Sequence, residues 1–468
     1  MTRPSEASQR ALYLIAAVAQ GAGPLLTQPF VQRILAPEEW GRVAFNLSIV
    51  SISLIVILAG LPLVITRTFF DPLRGPDKAR SLAGFGILQS LGLGALAAGA
   101  ATVWFAVRGT LSLDLSLVLA LCAVGLLGGI QMCLAVLRAQ KRAVAFVLLT
   151  IGAQTVGHLA GLAAVLLVDR SATAYLAAFT VVVGVTAVCS VVLIRPRRPF
   201  EFPGLVREAN KSSLPLLPHS IALVLMLQGE SFVLNAMHGP ASYGVYGAML
   251  PMALGPLSVV LALANVWETT LLAHRGNDAD GVVRRTQREA LAVSLVLILL
   301  ASAGAVFAAN ILAHDPTGQQ LSVARILPGI AVGYVIFLMA TTQLVAVNKT
   351  RSMAVVTPLI AAAQLGCLVL VSRNEDLVAV AWVKVIGFAV LGVLYAVIAH
   401  RTKPGLVDSR LMLVGLPTTA AITGVMIVQP TGLLLSIVEL ASLVVLLGGA
   451  AVVLRRREAS RATASDRG

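Results

Sequence analysis

A chain of 468 residues that is 58% hydrophobic, only 12% charged and of mean hydropathy +0.90 is not a soluble protein, which would carry about 25% charged residues. No hydrophilic stretch reaches the ~50 residues of an appended soluble domain, so a separate catalytic or nucleotide-binding domain is excluded. The +14 net charge raises nucleic acid as a partner, and the distribution of that charge dismisses it below.

A helix needs about 20 apolar residues to cross a ~30 Å hydrocarbon layer. The chain opens on a polar cytoplasmic N-terminus (1–10), too short and too polar to begin a cleaved signal, with no small-residue cleavage site after the first apolar run. Fourteen apolar runs follow. An N-terminal six-helix half (11–194) holds Ala11 to Phe30, Val43 to Thr66, Ser81 to Val107, Leu113 to Leu137, Ala143 to Val168 and Ala174 to Ile194. A cytoplasmic linker (195–213) leads to a C-terminal six-helix half (214–400). Its spans are Leu214 to Met237, Tyr243 to Leu272, Ala290 to Leu312, Val323 to Val347, Ser352 to Val371 and Leu377 to Ala399. Helices 13 and 14 (401–454), separated only by the turn at Gln429-Pro430-Thr431-Gly432, precede a basic cytoplasmic tail (455–468). The expected fold is therefore an all-α polytopic membrane protein of about 14 transmembrane helices.

Basic residues mark the cytoplasmic face. Alternating the loops places 28 of the 35 Lys and Arg on the side of both termini and six on the other (Arg33, Arg42, Arg108, Arg170, Arg325, Arg373), with Lys384 inside span twelve. The charge is thus a topology signal with contact to anionic lipid, and no nucleic-acid partner is expected. Cys122, Cys133, Cys189 and Cys367 fall in or beside apolar spans without metal-ligand spacing and are read as packing residues.

The halves share landmarks. Pro37, Trp40 and Gly41 follow span one as Pro240, Tyr243 and Gly244 follow span seven, at an offset of 203 (244 against 41). Arg138 to Arg142 after span four and Val347 to Arg351 after span ten repeat at 209 (351 against 142). Two landmarks after equivalent spans argue for duplication of a six-helix unit. Because six is even, both copies enter from one side and should be related by an axis along the membrane normal, the parallel-repeat arrangement of transporters.

At these residues the chain resembles a known family. The stretch Pro24 to Gly41, an apolar helix with a Pro, then Arg33-Ile34-Leu35 and Pro37-Glu38-Glu39-Trp40-Gly41, is similar to the N-terminal signature of the polysaccharide transport family. These are the Wzx-type oligosaccharide flippases of the multidrug/oligosaccharidyl-lipid/polysaccharide (MOP) exporter superfamily. Leu214-Pro215-Leu216-Leu217-Pro218-His219-Ser220, followed by Ser242-Tyr243-Gly244-Val245-Tyr246, looks like the start of its second half. The segment Val347 to Arg351 and then Arg373-Asn374-Glu375-Asp376 is similar to its tenth to twelfth spans. The resemblance implies flipping of an undecaprenyl-diphosphate-linked oligosaccharide at the plasma membrane, with polysaccharide polymerase or glycosyltransferases of the same pathway as partners. It implies no cofactor beyond a possible coupling ion, proton or sodium. Where the family commonly has an Asp-Arg pair late in span seven, this chain reads Gln228-Gly229-Glu230-Ser231. The related lipid II flippases carry arginines in their first spans, whereas Ala11 to Phe30 has no charge.

Charges inside hydrocarbon are costly and mark cavities or partners. Glu230 sits seven residues before the outer end of span seven and Lys384 seven after the outer start of span twelve, so both lie about 10 Å deep at 1.5 Å per residue. They are candidates to line a cavity, Lys384 attracting phosphate and Glu230 accepting sugar hydroxyls or a coupling proton. A structural ion pair, or a snorkelling Lys384, is the alternative reading. His158, with Gln154 one turn before it, is a second candidate for proton coupling or a plain interhelical bond. Gln20, Gln28 and Gln228, with Asn46, Gln89, Gln131, Asn265, Gln343 and Gln364, offer amides to sugar hydroxyls or to neighbouring helices. Arg67, near the cytoplasmic end of span two, could gather pyrophosphate or anchor topology; Glu268 in span eight and Glu439 in span fourteen receive no firm role. Gly21, Gly23 and Pro24 in span one, and Pro215 and Pro218 in span seven, are expected to be gating hinges. No enzyme is expected. The outer connections, Val31 to Arg42 and Asn310 to Ser322, are short, the paired acids Glu38-Glu39 and Glu375-Asp376 are adjacent rather than opposed, and there is no Gly-rich phosphate loop or metal cluster. A cation-coupled exporter of small amphipathic compounds is the main alternative to the flippase.

Overall fold

The structure is a computed structural model that describes residues 23–24, 26–108, 115–273, 279–313, 315–347, 349, 352–429 and 432–446. The expected turn residues Pro430 and Thr431, the landmark residues Asn348, Thr350 and Arg351, and both terminal segments lie outside these residues. In chain order the helices are α1 (26–34), α2 (Pro37–Leu58), α3 (Leu61–Phe69), α4 (Gly75–Arg108) and α5 (Leu115–Ala139). Next come α6 (Ala143–Leu167), α7 (Ala172–Ile194), α8 (Leu205–Ser213), α9 (Leu217–Gly247), α10 (Pro251–Ala273), α11 (Ala279–Ala303) and α12 (Ala305–Leu312). The chain ends with α13 (Gly318–Val345), α14 (Met353–Ser372), α15 (Leu377–Thr402), α16 (Arg410–Val428) and α17 (Leu433–Leu446). Among the described residues there is no strand. Eleven helices among the described residues are long and apolar enough to cross a membrane, and shorter apolar helices, Pro251–Leu261 and Leu433–Leu446, stand at the expected eighth and fourteenth spans.

Hydropathy located these elements because lipid leaves backbone groups no partner except within a helix. It missed their breaks. The expected second span is two helices, since Ala59 (φ 45) and Gly60 (φ 74) both turn left-handed. Pro62 then sits in the first turn of α3, where the missing N–H has no bond to lose. The boundary between spans seven and eight is a kink inside α9, with Gly239 at φ 81, ψ 177 and Pro240 after it.

The buried apolar side chains form two clusters. One gathers residues from Val31 to Ala209, the other from Ala222 to Leu411. Both copies of the second landmark end a helix with the same bond: Arg142 N–H donates to Leu137 O at 3.0 Å, and Lys349 N–H to Leu344 O at 2.9 Å. This backbone equivalence sets the offset there at 207 (349 against 142) instead of 209. Arg325, assigned above to the outer face, is buried in α13 and donates to Gln429 O at 2.8 Å, fastening the end of α16 to the second half.

Helices in lipid associate through close packing at small residues. A Cβ on Gly333 of α13 would lie 2.6 Å from Phe388 C of α15, whereas one on Gly366 of α14 meets nothing within 4 Å. Gly333→Ala is expected to lower stability by about 1–3 kcal/mol, the usual cost of overpacking, and Gly366→Ala to leave it unchanged or slightly raised. Thermal unfolding of the two purified variants in detergent checks this, and equal midpoints would contradict the close α13–α15 crossing.

Candidate functional site: a cavity between the halves

The main contact between the halves among the described residues is α2 against α9. It is built from the first landmark. A Cβ on Gly41 would fall 1.8 Å from Pro240 O, and one on Gly244 would fall 2.5 Å from Pro37 O. The offset of 203 maps the first contact onto the second, so each half inserts its glycine against the proline of the other. The same offset maps Gly247 onto Ala44, and a Cβ on Gly247 would stand 3.6 Å from the Ala44 Cβ. A pair that maps onto itself lies on the axis, so the local two-fold passes between these residues. Ser48 Oγ and Tyr243 Oη share a hydrogen bond of 3.1 Å, Phe45 meets Phe232 edge to face at 5.6 Å, and Arg33 of α1 donates to Asn310 O of α12. All of these join the halves at one end of the molecule.

Below this seam lies a cavity of about 210 Å³ with walls from both halves. Along α2 its lining runs from Trp40 to Leu54, some 21 Å at 1.5 Å per residue. The first half contributes Pro24, Gln28, Gln154 and His158, and the second contributes Gln228 and Tyr243. Gln154 lies in a π-helical turn, Ile151–Val156, two residues before His158, the kind of local widening that helices show at functional positions. A Cβ on Gly23 would stand 2.9 Å from Gln154 O and from Thr155 Cα, so this glycine lets the first span lie against the π turn. His158 is itself nearly buried; its Nδ1 is 2.7 Å from Tyr175 Oη and its ring lies 4.9 Å from that of Phe179. Trp40 and Gln228 line the cavity with other parts of their side chains, while Trp40 Nε1 and Gln228 Oε1 are buried out of reach of it with no hydrogen-bond partner.

The sequence-derived candidates separate cleanly. Gln28, Gln228, His158 and Pro24 line the cavity, and Gly23 packs beside it. Gln20 and Gly21 lie outside the described residues, as does the side chain of Glu268. Glu230 and Lys384 do pair, as their equal depth allowed, but they are not in the cavity wall: they are 0% and 1% exposed and join α9 to α15 within the second half. The expectation that they face the cavity is corrected accordingly, because rotation about each helix axis turns both inward against each other. Arg67 is exposed at the end of α3 and is not part of the wall. Pro215 lies in a 3₁₀ turn, Leu214–Leu216, that joins α8 to α9, and Pro218 is in the first turn of α9. Neither interrupts the span, and the strong break comes at Gly239 and Pro240 instead. Several amides serve helix contacts: Asn46 donates to Ser116 Oγ (3.0 Å), Gln89 to Ile57 O (3.3 Å) and Gln364 to Met226 O (2.9 Å). Trp40 and Tyr243 were visible only as landmark aromatics, and that repetition was the signal for their place in the wall.

A helical fold with two related halves around one cavity defines a multi-pass membrane transporter. The comparisons agree. The family described as "Polysaccharide biosynthesis protein" matches residues 10–267, more than half of the chain, and the protein belongs to that family. No curated protein sequence matches the chain. Among solved structures, an inward-facing multidrug resistance MATE family transporter of the MOP superfamily is similar at TM-score 0.67 and 13% identity, covering 85% of this chain and 95% of that one. A MOP superfamily transporter from Pyrococcus furiosus, described as having a binding pocket of reverse polarity, gives TM-score 0.63 and 15% identity over 86% and 97%. An outward-facing multidrug resistance MATE family transporter gives 0.63 and 16% over 86% and 96%. At these identities the likeness establishes the fold.

Proposed function

We propose that this protein flips an undecaprenyl-diphosphate-linked oligosaccharide from the cytoplasmic to the outer leaflet of the plasma membrane by alternating access, for export of a cell-surface polysaccharide. The observation that carries the reading is the cavity walled by both halves, whose backbones pack closely at the Pro37 and Pro240 end, which we take as its seal. With both termini in the cytoplasm, as the 28-to-six split of basic residues supports, that seal faces outward. Rocking of the halves about the two-fold would break the seal and turn the cavity to the outer leaflet. A polar headgroup then crosses inside the protein while its lipid tail stays in the bilayer, and no bond is made or broken. The membership in a polysaccharide biosynthesis family supports a glycan cargo, and Gln28, Gln154 and Gln228 offer it hydrogen bonds in a wall that is otherwise mostly apolar. Polymerase or glycosyltransferases of the same pathway are the partners this implies. The driving force is the membrane potential, a proton or sodium gradient, or consumption of the product.

The test is translocation of a fluorescent lipid-diphosphate oligosaccharide in reconstituted vesicles, against protein-free vesicles. Wild-type protein is expected to expose the label to an external quencher. The second reading, export of cationic amphipathic compounds, draws on the multidrug transporters of similar fold. It asks for a carboxylate in the cavity, and the described wall has none. Folded protein that moves no lipid-linked glycan, yet confers efflux of such compounds, would favour that second reading.

A further inference from the structure

Pro240, whose carbonyl meets Gly41 across the seam, has no N–H with which to hold its own turn and follows Gly239 at φ 81. The residue before that glycine supplies a tether. His238 Nε2 is 2.6 Å from Ser372 O, and His238 Nδ1 is 3.1 Å from Glu375 Oε1, both in the turn that joins α14 to α15. Ser372 O also accepts from Glu375 N–H at 3.1 Å, and Glu375 stands at φ 55, a left-handed conformation that a residue with a Cβ adopts only at a cost. The first half ties its landmark turn to its sixth span as well: Glu39 Oε2 accepts from Ala172 N–H at 2.7 Å, and the offset of 203 carries Ala172 onto Glu375 (375 against 172). The tether of the first half is a carboxylate on a backbone N–H. That of the second passes through an imidazole, whose charge changes with pH. A carbonyl and a carboxylate oxygen only accept, so either neutral tautomer of His238 turns a lone pair on one of them, and the doubly protonated ring alone offers an N–H to both. We propose that the seal carries a proton site on its outer side: His238, protonated from outside, ties the Gly239–Pro240 turn to Ser372 and Glu375 and so holds Pro240 against Gly41.

The other charged groups that elements packed on α9 bring towards this end are Glu38, Glu39 and Arg42 on α2, Arg325 on α13, and Arg373 and Asp376 beside Glu375. Arg42 pairs with Glu38 at 2.7 Å and Glu39 at 3.5 Å, and Arg325 donates to Gln429 O. Asp376 accepts from the N–H groups of Val378 and Ala379, and Arg373 is exposed. Glu230 and Lys384, engaged with each other, lie about 12 Å deeper along the span at 1.5 Å per residue. Glu375 is therefore the counter-charge of His238. Its side chain is 69% exposed and that of His238 14%, so the pair exchanges protons with the water on its own side of the membrane. The sign follows from the geometry. The protonated tether belongs to the sealed arrangement, so closure is favoured at acid external pH, and that contribution is lost as pH rises through the range, about 5 to 8, in which histidine gives up its charge. The inference takes the outward-facing seal from the proposed function but not the cargo, and its readout is access rather than flipping.

The experiment places Ser51→Cys, a cavity position, in protein whose Cys122, Cys133, Cys189 and Cys367 are replaced by serine or alanine, and adds a membrane-impermeant thiol reagent outside at a series of external pH values. The labelling rate is taken relative to the same protein with His238→Gln at each pH, which cancels the titration of the reacting thiol. With His238 present, labelling is expected to be slower by about threefold at pH ~5, the scale of a partly exposed ion pair, and to converge on the His238→Gln rate by pH ~8. Glu375→Gln adds a second arm that does not depend on the first variant folding. Its amide accepts from one form of the ring and donates to the other, so this exposed substitution is expected to keep the tether at every pH and to flatten the dependence, with slow labelling persisting at pH ~8. A purely structural histidine would not respond in this way. Equal labelling with and without His238 at every pH, faster labelling at acid pH with His238 present, or an unchanged pH dependence in Glu375→Gln would overturn the inference.

Discussion

Lys384→Ala is expected to destabilise the protein by about 3–5 kcal/mol, because it leaves the Glu230 carboxylate buried in the second half with its cation removed. The asymmetry of a buried pair makes the prediction specific. Replacing both partners by neutral side chains of similar size, Glu230→Gln with Lys384→Met, removes both desolvation costs along with the attraction and is expected to recover most of the loss. Glu230 Oε2 has no partner in the native pair, so the wild-type arrangement is itself incompletely satisfied, and the double variant has less to lose than a fully bonded pair would. Thermal unfolding of wild type, single and double variants in detergent reads the difference. A single variant as stable as wild type would refute the buried pair. A double variant that folds and still transports would confine the pair to holding α9 against α15, whereas folded protein without transport would return it to the transport mechanism.

The pair illustrates what the sequence could and could not convey. Its partners were legible from depth, since a residue count along two helices places Glu230 and Lys384 at one level of the membrane. Their orientation was not, because a charge in a span needs shelter from lipid and a buried partner provides it as well as an aqueous cavity does. The helices themselves were legible because bilayer thickness imposes a long apolar run. Their breaks were less so. Gly60 signals a left-handed turn, but Ala59 before it adopts one without any sequence preference for doing so. Pro215 and Pro218 were poor guides to bending, since they fall where α9 begins and their missing N–H bonds cost little, whereas Pro240 does mark the kink after Gly239. The π turn at Ile151–Val156, which carries Gln154 into the wall, has no signature in its residues. The repeat was the most informative feature. Its three residues per half turned out to be the contact between the halves, and they brought Trp40 and Tyr243 to the cavity as a consequence.

Gly41→Val should open the seam. No side chain fits there: even a Cβ would lie 1.8 Å from Pro240 O, inside the van der Waals distance of any carbon and oxygen, and the obstacle is backbone that cannot swing aside. The halves must separate locally, which penalises the closed arrangement without touching the core of either half. By the two-fold, Gly244→Val is expected to act in the same way through Pro37 O, with a milder clash at 2.5 Å, while Gly247→Ala, where a Cβ has 3.6 Å to Ala44, is expected to be tolerated. Access can be read with a cysteine at Ser51, a cavity position, after replacing Cys122, Cys133, Cys189 and Cys367 by serine or alanine. A membrane-impermeant thiol reagent added outside should label it in Gly41→Val at least about tenfold faster than in the parent, the change that a bias of ~1.4 kcal/mol makes in a two-state population. Transport should fall at the same time, since a protein that cannot reseal cannot alternate. Unchanged labelling in a folded Gly41→Val protein would mean that this glycine pair is not the outer barrier. The graded order of the three glycine variants separates a seam effect from general damage, because misfolding would not follow the distances across the two-fold.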